Sequence, residues 1–108
     1  MVIIKSKKYL KDYQKIIINK NMKKEMERIA NIENIFLSYK NMQELYNSPY
    51  KNIYHIEQKK ANLKEYFTAR INNKLRLMIK PLNEYPYNYI EIIEIEFLYI
   101  DDKHYGEG

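Results

Sequence analysis

The chain contains no cysteine, which excludes disulfides, thiolate zinc sites and a cysteine nucleophile. It has no apolar run approaching the roughly 18 residues needed to cross a bilayer. The charged start, MVIIKSKKYLK, has neither the apolar core nor the cleavage site of a secretory signal. A soluble, cytoplasmic protein with no membrane association is expected. Histidine is scarce: there are 2, with no HxxxH spacing and no run of carboxylates. No metal-site signature is present, and no cofactor is expected. A length of 108 residues suits one domain spanning 1–108, with a single core of two packed layers.

Ile, Lys, Asn and Tyr are abundant, at 17, 16, 12 and 12 residues. That is the amino-acid usage of an AT-rich genome, in which Lys replaces Arg by codon bias. The formal charge of +5 and pI of about 9.2 are therefore thin grounds for inferring a polyanionic partner. The distribution of charge says more. Residues 59–80 carry seven cations against Glu65, a balance of +6, and residues 81–108 carry seven acids against Lys103, a balance of −6. A molecule polarised in this way can present a basic face to a polyanion, or its acidic tail can neutralise that face by strand pairing.

Residues 1–50 read as a short strand, 2–4, followed by two helices. Leu10, Tyr13 and Ile17 recur at helical spacing, as do Met22, Met26, Ile29 and Phe36, and each set is expected to face the core. Asn31 to Asn34 leave open whether the second helical stretch is one helix or two. Ser48-Pro49 is expected to stop it, because the residue before proline is pushed out of the α region.

Residues 53–108 read as an antiparallel sheet and a polar tail. In LKEYFTARINNKLRLMIKP (63–81), Phe67, Ala69 and Ile71 alternate with Tyr66, Thr68 and Arg70. Leu75, Leu77 and Ile79 alternate with Lys74, Arg76, Met78 and Lys80. Period-two alternation puts one set on the core and the other on solvent or a ligand. Asn72-Asn73 can supply the positive φ angles of a two-residue hairpin, which would set Arg70 beside Arg76 on the polar face. Two adjacent guanidinium groups repel unless an anion lies between them. NYIEIIEIEFLYI (88–100) predicts a third long strand, with a β-bulge where Ile92 and Ile93 adjoin.

This β-α-α-β-β-β order, the basic hairpin and the closing DDKHYG resemble toxins of the RelE/ParE superfamily, and within it the HigB, or plasmid-maintenance killer, branch. The most specific piece is YFTARINNKLRLMI (66–79). That branch typically shows an aromatic strand, Arg-Ile-Asn, a short polar turn, an arginine after an aromatic or aliphatic residue, and an apolar strand. The EIIEI strand (91–95) adds to the likeness, which covers about residues 53–106; the helical half agrees in order and length. One departure is that many relatives carry a glycine in an LKG turn, where this chain has Lys60-Ala61-Asn62.

The resemblance implies an α+β, RelE-like fold, with a short N-terminal strand and two helices packed on a twisted antiparallel sheet. It also implies a type II toxin that cuts messenger RNA at the ribosome and is silenced by a cognate antitoxin. In the HigB branch that partner is usually a HigA-like helix-turn-helix protein, through which the complex binds operator DNA. RNA cleavage without a metal needs a 2′-hydroxyl activated as nucleophile, a proton for the departing 5′-oxygen, and cations around the phosphate. Arg76 matches the arginine of the second hairpin strand and is the first candidate for the scissile phosphate; its planar fork pairs two oxygens and keeps its charge. Arg70 matches the Arg-Ile-Asn arginine. His104 is the best general acid or base by residue type, with Tyr105 to orient it, stack on a base or donate a proton, and Asp102 to fix the imidazole tautomer. His55, Lys59, Lys60, Lys74 and Lys80 are candidate RNA contacts, and Tyr66 a candidate base-stacking residue.

Other readings stand beside these. Arg70 and Arg76 can be exposed strand residues paired with Glu94 or Glu96, and the tail can be solvated. Relatives of the ParE type poison DNA gyrase without cutting RNA. A degenerate toxin can survive only as corepressor with its antitoxin.

Overall fold

The computed structural model describes residues 1–102. The chain runs β1 (Val2–Lys5), α1 (Lys7–Ile17), α2 (Lys23–Ser38), α3 (Met42–Tyr46), α4 (Tyr50–Ile53), β2 (Glu57–Gln58), β3 (Phe67–Arg70), β4 (Arg76–Pro81) and β5 (Glu94–Asp101). The architecture is α+β, with helices packed on one five-stranded sheet of order β1-β5-β4-β3-β2. The last four strands pair antiparallel, as the alternation anticipates, while β1 lies parallel to β5. The sheet is therefore mixed, because the two long helices carry the chain over the sheet between its first strand and the rest. The two-residue β2, too short to leave a periodic signal, adds the other edge.

Ser6 starts α1. Its hydroxyl accepts from the Tyr9 amide at 3.0 Å, filling one of the orphan donors of the first turn, and donates to the Leu98 carbonyl, tying the helix to β5. The buried side of α1 is Tyr9, Asp12 and Ile16, with Tyr13 half buried. This corrects the expectation for Leu10 and Ile17, which are exposed. The stripe is turned by about one residue because Asp12 belongs to it: its carboxylate accepts from the Ile100 amide at 3.0 Å and from Lys8 at 2.6 Å. A satisfied buried carboxylate is invisible to a hydrophobic period.

The second helical stretch holds one 16-residue helix, α2, with no break at Asn31 to Asn34. Two short helices follow it. Asn41 caps α3 by accepting from the Glu44 amide at 2.9 Å, while Glu44 accepts from the Lys40 amide at 3.2 Å. This reciprocal pair satisfies two amides at once. Helix α3 ends at Tyr46, and Pro49 then precedes α4.

Helices and sheet close over Ile29, Ile32 and Phe36 of α2 and Phe67, Leu77, Ile79, Ile95 and Phe97 of the strands, each at most 1% exposed. Burying one such side chain contributes roughly 1.5 to 3 kcal/mol. Phe97 sits at the centre, with its ring centroid 5.4 Å from Tyr9 and 6.0 Å from Phe36, both edge-on. Met78, expected on the polar face, is fully buried there, opposite Thr68 on one side and Tyr99 on the other. The long strand expected from residue 88 begins only at Glu94, after a single turn of 3₁₀ helix at Tyr89–Glu91. The adjoining isoleucines mark that turn. The register shift lies elsewhere, between Met78 and Ile79 of β4, where Leu98 of β5 is passed over.

Candidate RNA-cleavage site

Strands β3 and β4 pair so that Arg70 stands directly opposite Arg76, and Asp101 of β5 stands opposite Arg76 on its other side. Directly opposed residues keep their Cβ atoms about 5 Å apart, so two guanidinium groups share the end of the sheet. Glu94 and Glu96 lie towards the far end of β5, Glu96 opposite Lys80. The bland pairing of the arginines with those two glutamates is therefore ruled out by register.

The connection between the arginines differs from the tight turn expected. Positive φ occurs at His55 and Ala61 and at neither Asn72 nor Asn73. The Asn72 side chain instead organises a longer loop. Its Oδ1 accepts from the Lys74 and Leu75 amides at 2.8 and 2.7 Å, and its Nδ2 donates to Glu25 of α2 at 3.0 Å. Asparagine can bond its own backbone two residues on, in place of the hairpin ladder. Its carbonyl in turn accepts from Arg76 Nη1 at 2.6 Å, and the Leu75 carbonyl accepts from the same nitrogen at 3.1 Å. The loop thus fixes where the Arg76 fork begins.

His55 joins this corner from the other side. It follows α4 with φ of 49°, in the left-handed region that usually ends a helix with glycine. For a residue with a Cβ this costs about 1 kcal/mol. The geometry is held by the Arg70 amide donating to the Tyr54 carbonyl at 2.8 Å and the Ile56 amide donating to the Lys51 carbonyl at 2.8 Å. The imidazole Nε2 then lies 3.5 Å from Arg70 Nη1. Partial loss of hydration, followed by the positive charges of Arg70, Arg28 and Arg76 and opposed by Glu57, lowers the His55 pKa from its ordinary 6.5. The shift favours the uncharged ring, which is the form that can accept a proton.

Arg28 is the residue that sequence reasoning missed. From α2 its Nε donates to the Arg70 carbonyl at 2.8 Å and its Nη2 to the Ile53 carbonyl at 2.9 Å, while its guanidinium stacks 4.4 Å above the Tyr54 ring. It braces the segment before His55 against the end of β3. A signal was available: the chain has 3 arginines among 19 Lys and Arg residues, and all of them meet here. Where codon usage supplies lysine, a retained arginine marks a place that needs a planar fork. Two buried polar atoms in the same row, Arg70 Nε and Asp101 Oδ2, have no hydrogen-bond partner among the described residues.

The remaining candidates divide. Lys74 is exposed on the hairpin loop beside the arginines. Lys80 is four residues from Arg76 along β4, about 13 Å at strand rise, and pairs with Glu65 at 3.7 Å. Tyr66 sits equally far from Arg70 along its strand and is half buried. Its carbonyl accepts from the Lys59 amide, and the Lys59 ammonium lies 3.7 Å from Glu57. Lys60 is exposed next to this end of the sheet. The corner thus gathers His55, Arg70, Lys74 and Arg76 but leaves out Lys59, Lys60, Tyr66 and Lys80. Asp102 is exposed and lines a groove with Lys8 and Leu75, while His104 and Tyr105 lie outside the described residues. No group of three or more His, Cys, Asp or Glu residues suited to a metal is present among the described residues, and no described helix is long and apolar enough to cross a membrane.

Ala61 answers the question raised by the missing glycine. It takes φ of 55° itself, so the turn keeps a left-handed residue at the cost of a Cβ clash.

No family model matches the sequence, and no curated protein does. Solved structures do match, and the fold they share is that of RelE/ParE-like toxins. A YoeB/ParE toxin from Agrobacterium tumefaciens superposes with a TM-score of 0.62 at 12% identity, covering 96% of this chain and 100% of that one. YoeB in a heterotetrameric toxin-antitoxin complex with YefM from Staphylococcus aureus gives 0.60 at 23% identity, covering 97% and 98%. YafQ in the E. coli DinJ-YafQ toxin-antitoxin complex gives 0.59 at 15% identity, covering 93% and 89%.

Proposed function

We propose that the chain is the toxin of a type II toxin-antitoxin module, of the HigB kind, that cuts messenger RNA on the ribosome without a metal. The observation that carries this reading is the convergence of Arg28, Arg70, Arg76 and His55 at one corner of a toxin-like fold. Asp101 of β5 stands opposite Arg76 in this cluster, and a phosphodiester offers the paired oxygens that guanidinium forks bind. Arg70 and Arg76 hold the two non-bridging oxygens, and Arg28 positions the backbone that carries Arg70.

His55 takes the proton from the ribose 2′-hydroxyl. The 2′-oxygen then bonds to phosphorus as the bond to the 5′-oxygen breaks, leaving a 2′,3′-cyclic phosphate and a free 5′-hydroxyl. The proton for that leaving oxygen comes from His104 or Tyr105, with Asp102 beside them in sequence. Preorganised donors around the charge that builds up are worth about 10²- to 10³-fold in rate each.

The partner is a cognate antitoxin, HigA-like, through which the pair reaches operator DNA in the cytoplasm. That solved relatives of this fold are complexes with antitoxins supports such a partner. The test is purified bacterial ribosomes programmed with a defined message. The wild type is expected to cut within the occupied reading frame, and Arg76→Ala and His104→Ala to lose the cuts with circular dichroism unchanged. No cutting by the wild type refutes the nuclease; a gyrase supercoiling assay then separates a ParE-like poison from a corepressor.

A further inference from the structure

The lysines of the N-terminal half are arranged in a way that codon bias does not explain. Codon bias acts along the whole chain, yet every glutamate falls at residue 25 or later, and Asp12 is the one acid before it. That acid is buried and already bound by Lys8 and the Ile100 amide. On α1 the lysines are also sorted by face. Lys7, Lys11 and Lys15 follow one another at every fourth position, about 6 Å apart along the axis, close to the step between neighbouring phosphates of a strand. They are exposed, and Tyr9, Asp12 and Ile16 occupy the buried side. Lys20, Lys23 and Lys24 extend the same charge around the start of α2. None of these six lysines has a carboxylate within ion-pair distance among the described residues.

We propose that this lysine face of α1, continued by Lys20, Lys23 and Lys24, is a second RNA-binding surface that grips the phosphodiester backbone of a folded RNA helix. It is distinct from the arginine corner that takes the strand to be cut. The identity of the ligand as RNA rests on the proposed function; the sorting of charge does not.

A helix is favoured over an unpaired strand because the band offers no platform for bases. Its two aromatic residues, Tyr9 and Tyr13, turn inward and stack on each other with ring centroids 5.9 Å apart. Unpaired RNA is held by exposed aromatics, whereas duplex RNA is held by backbone and shape. A lipid surface is disfavoured because the exposed apolar residues of α1, Leu10 and Ile17, form a stripe too narrow to embed. A groove of about 360 Å³ leads from Lys8 and Lys15 past Asn19 to Leu75, whose carbonyl holds Arg76. The two surfaces are thereby continuous. Asp102 also lines that groove.

The test is fluorescence anisotropy with a labelled RNA hairpin, fully 2′-O-methylated so that no nucleophile is available for cleavage. The triple variant Lys7→Glu/Lys11→Glu/Lys15→Glu should bind about 30-fold more weakly than wild type, and the slope of log affinity against log salt should flatten by about 2 to 3. Replacing the same lysines with glutamine should give an intermediate loss, and this variant carries the test if the charge reversal disturbs folding. Lys40→Gln, at an exposed lysine outside this band, should change hairpin affinity less than about threefold. Wild-type affinity and slope in both triple variants would overturn the proposal. So would binding of the wild type to phosphatidylserine vesicles but not to the hairpin. A chain that never cuts ribosome-bound message, yet loses hairpin binding in the triple variants, would refute the nuclease and leave this surface standing.

Discussion

Replacing Asn72 by alanine removes three hydrogen bonds at once from the loop that carries Arg76. Two are the Asn72 Oδ1 contacts to the Lys74 and Leu75 amides, and the third ties the loop to Glu25 on α2. A typical intramolecular hydrogen bond nets about 1 kcal/mol. The exposed Lys74 amide can turn to water, so its bond counts for less than the part-buried pair. The sum is about 2 kcal/mol, which for a domain of this size lowers Tm by roughly 10 °C. The functional effect should exceed the effect on stability, because the Asn72 carbonyl also accepts from Arg76 Nη1 at 2.6 Å. A loop that wanders releases the fork. The cleavage rate should fall about 100-fold at a temperature where the variant remains folded, the loss of one preorganised donor. Asn72→Asp keeps the acceptor for both amides but sets a carboxylate against Glu25, and should melt between the two. Scanning calorimetry paired with single-turnover cleavage reads both quantities. An alanine variant that melts within about 1 °C of wild type and cuts equally fast would refute the claim that this side chain builds the loop.

Two further outcomes follow from the same geometry. Ala61→Gly relieves a left-handed residue of its Cβ, gaining about 1 to 2 kcal/mol in the fold and giving part of it back as unfolded-chain entropy. The melting temperature should rise by roughly 3 to 5 °C, and a fall would contradict the strain assigned to φ of 55°. The His55 ring, followed by NMR, should titrate below its ordinary 6.5, and Arg70→Gln should move it back upward. Because the folded pKa is depressed, this histidine's contribution to stability is complete above about pH 6.5 and is lost as pH falls through the folded value. A midpoint at or above the ordinary value would mean that the arginines do not reach the ring.

Period two put each hairpin arginine on the polar face of its own strand, but the direct opposition of Arg70 and Arg76 comes from the longer loop that Asn72 builds, since a two-residue turn at 72–73 would have set Arg70 against Leu75. The α+β class was legible for the same reason, since alternation and helical spacing fall in separate halves of the chain. Two of the misreadings share one cause, which is polar side chains doing work that apolar patterning cannot register. Asp12 turned the buried face of α1 away from Leu10 and Ile17 by bonding the Ile100 amide. Asn72 replaced an expected two-residue turn with a longer loop by bonding its own backbone. Arg28 and His55 were harder still to read. They lie 42 and 15 positions from Arg70 and meet it through a carbonyl and a ring nitrogen, contacts that no local window contains. The rarity of arginine hinted at Arg28, while His55 was a candidate RNA contact whose partner the sequence did not show.

The central claim is that Arg70 and Arg76 act on one phosphate. The measurement that tests it most directly is a double-mutant cycle in single-turnover cleavage of ribosome-bound message, using Arg70→Ala, Arg76→Ala and the pair. Groups that share one phosphate act as a unit, so each single variant should lose about 10²-fold or more and the double little beyond the worse single. Losses that simply multiply, or a single variant that cuts like wild type, would contradict a shared phosphate site at this corner of the sheet.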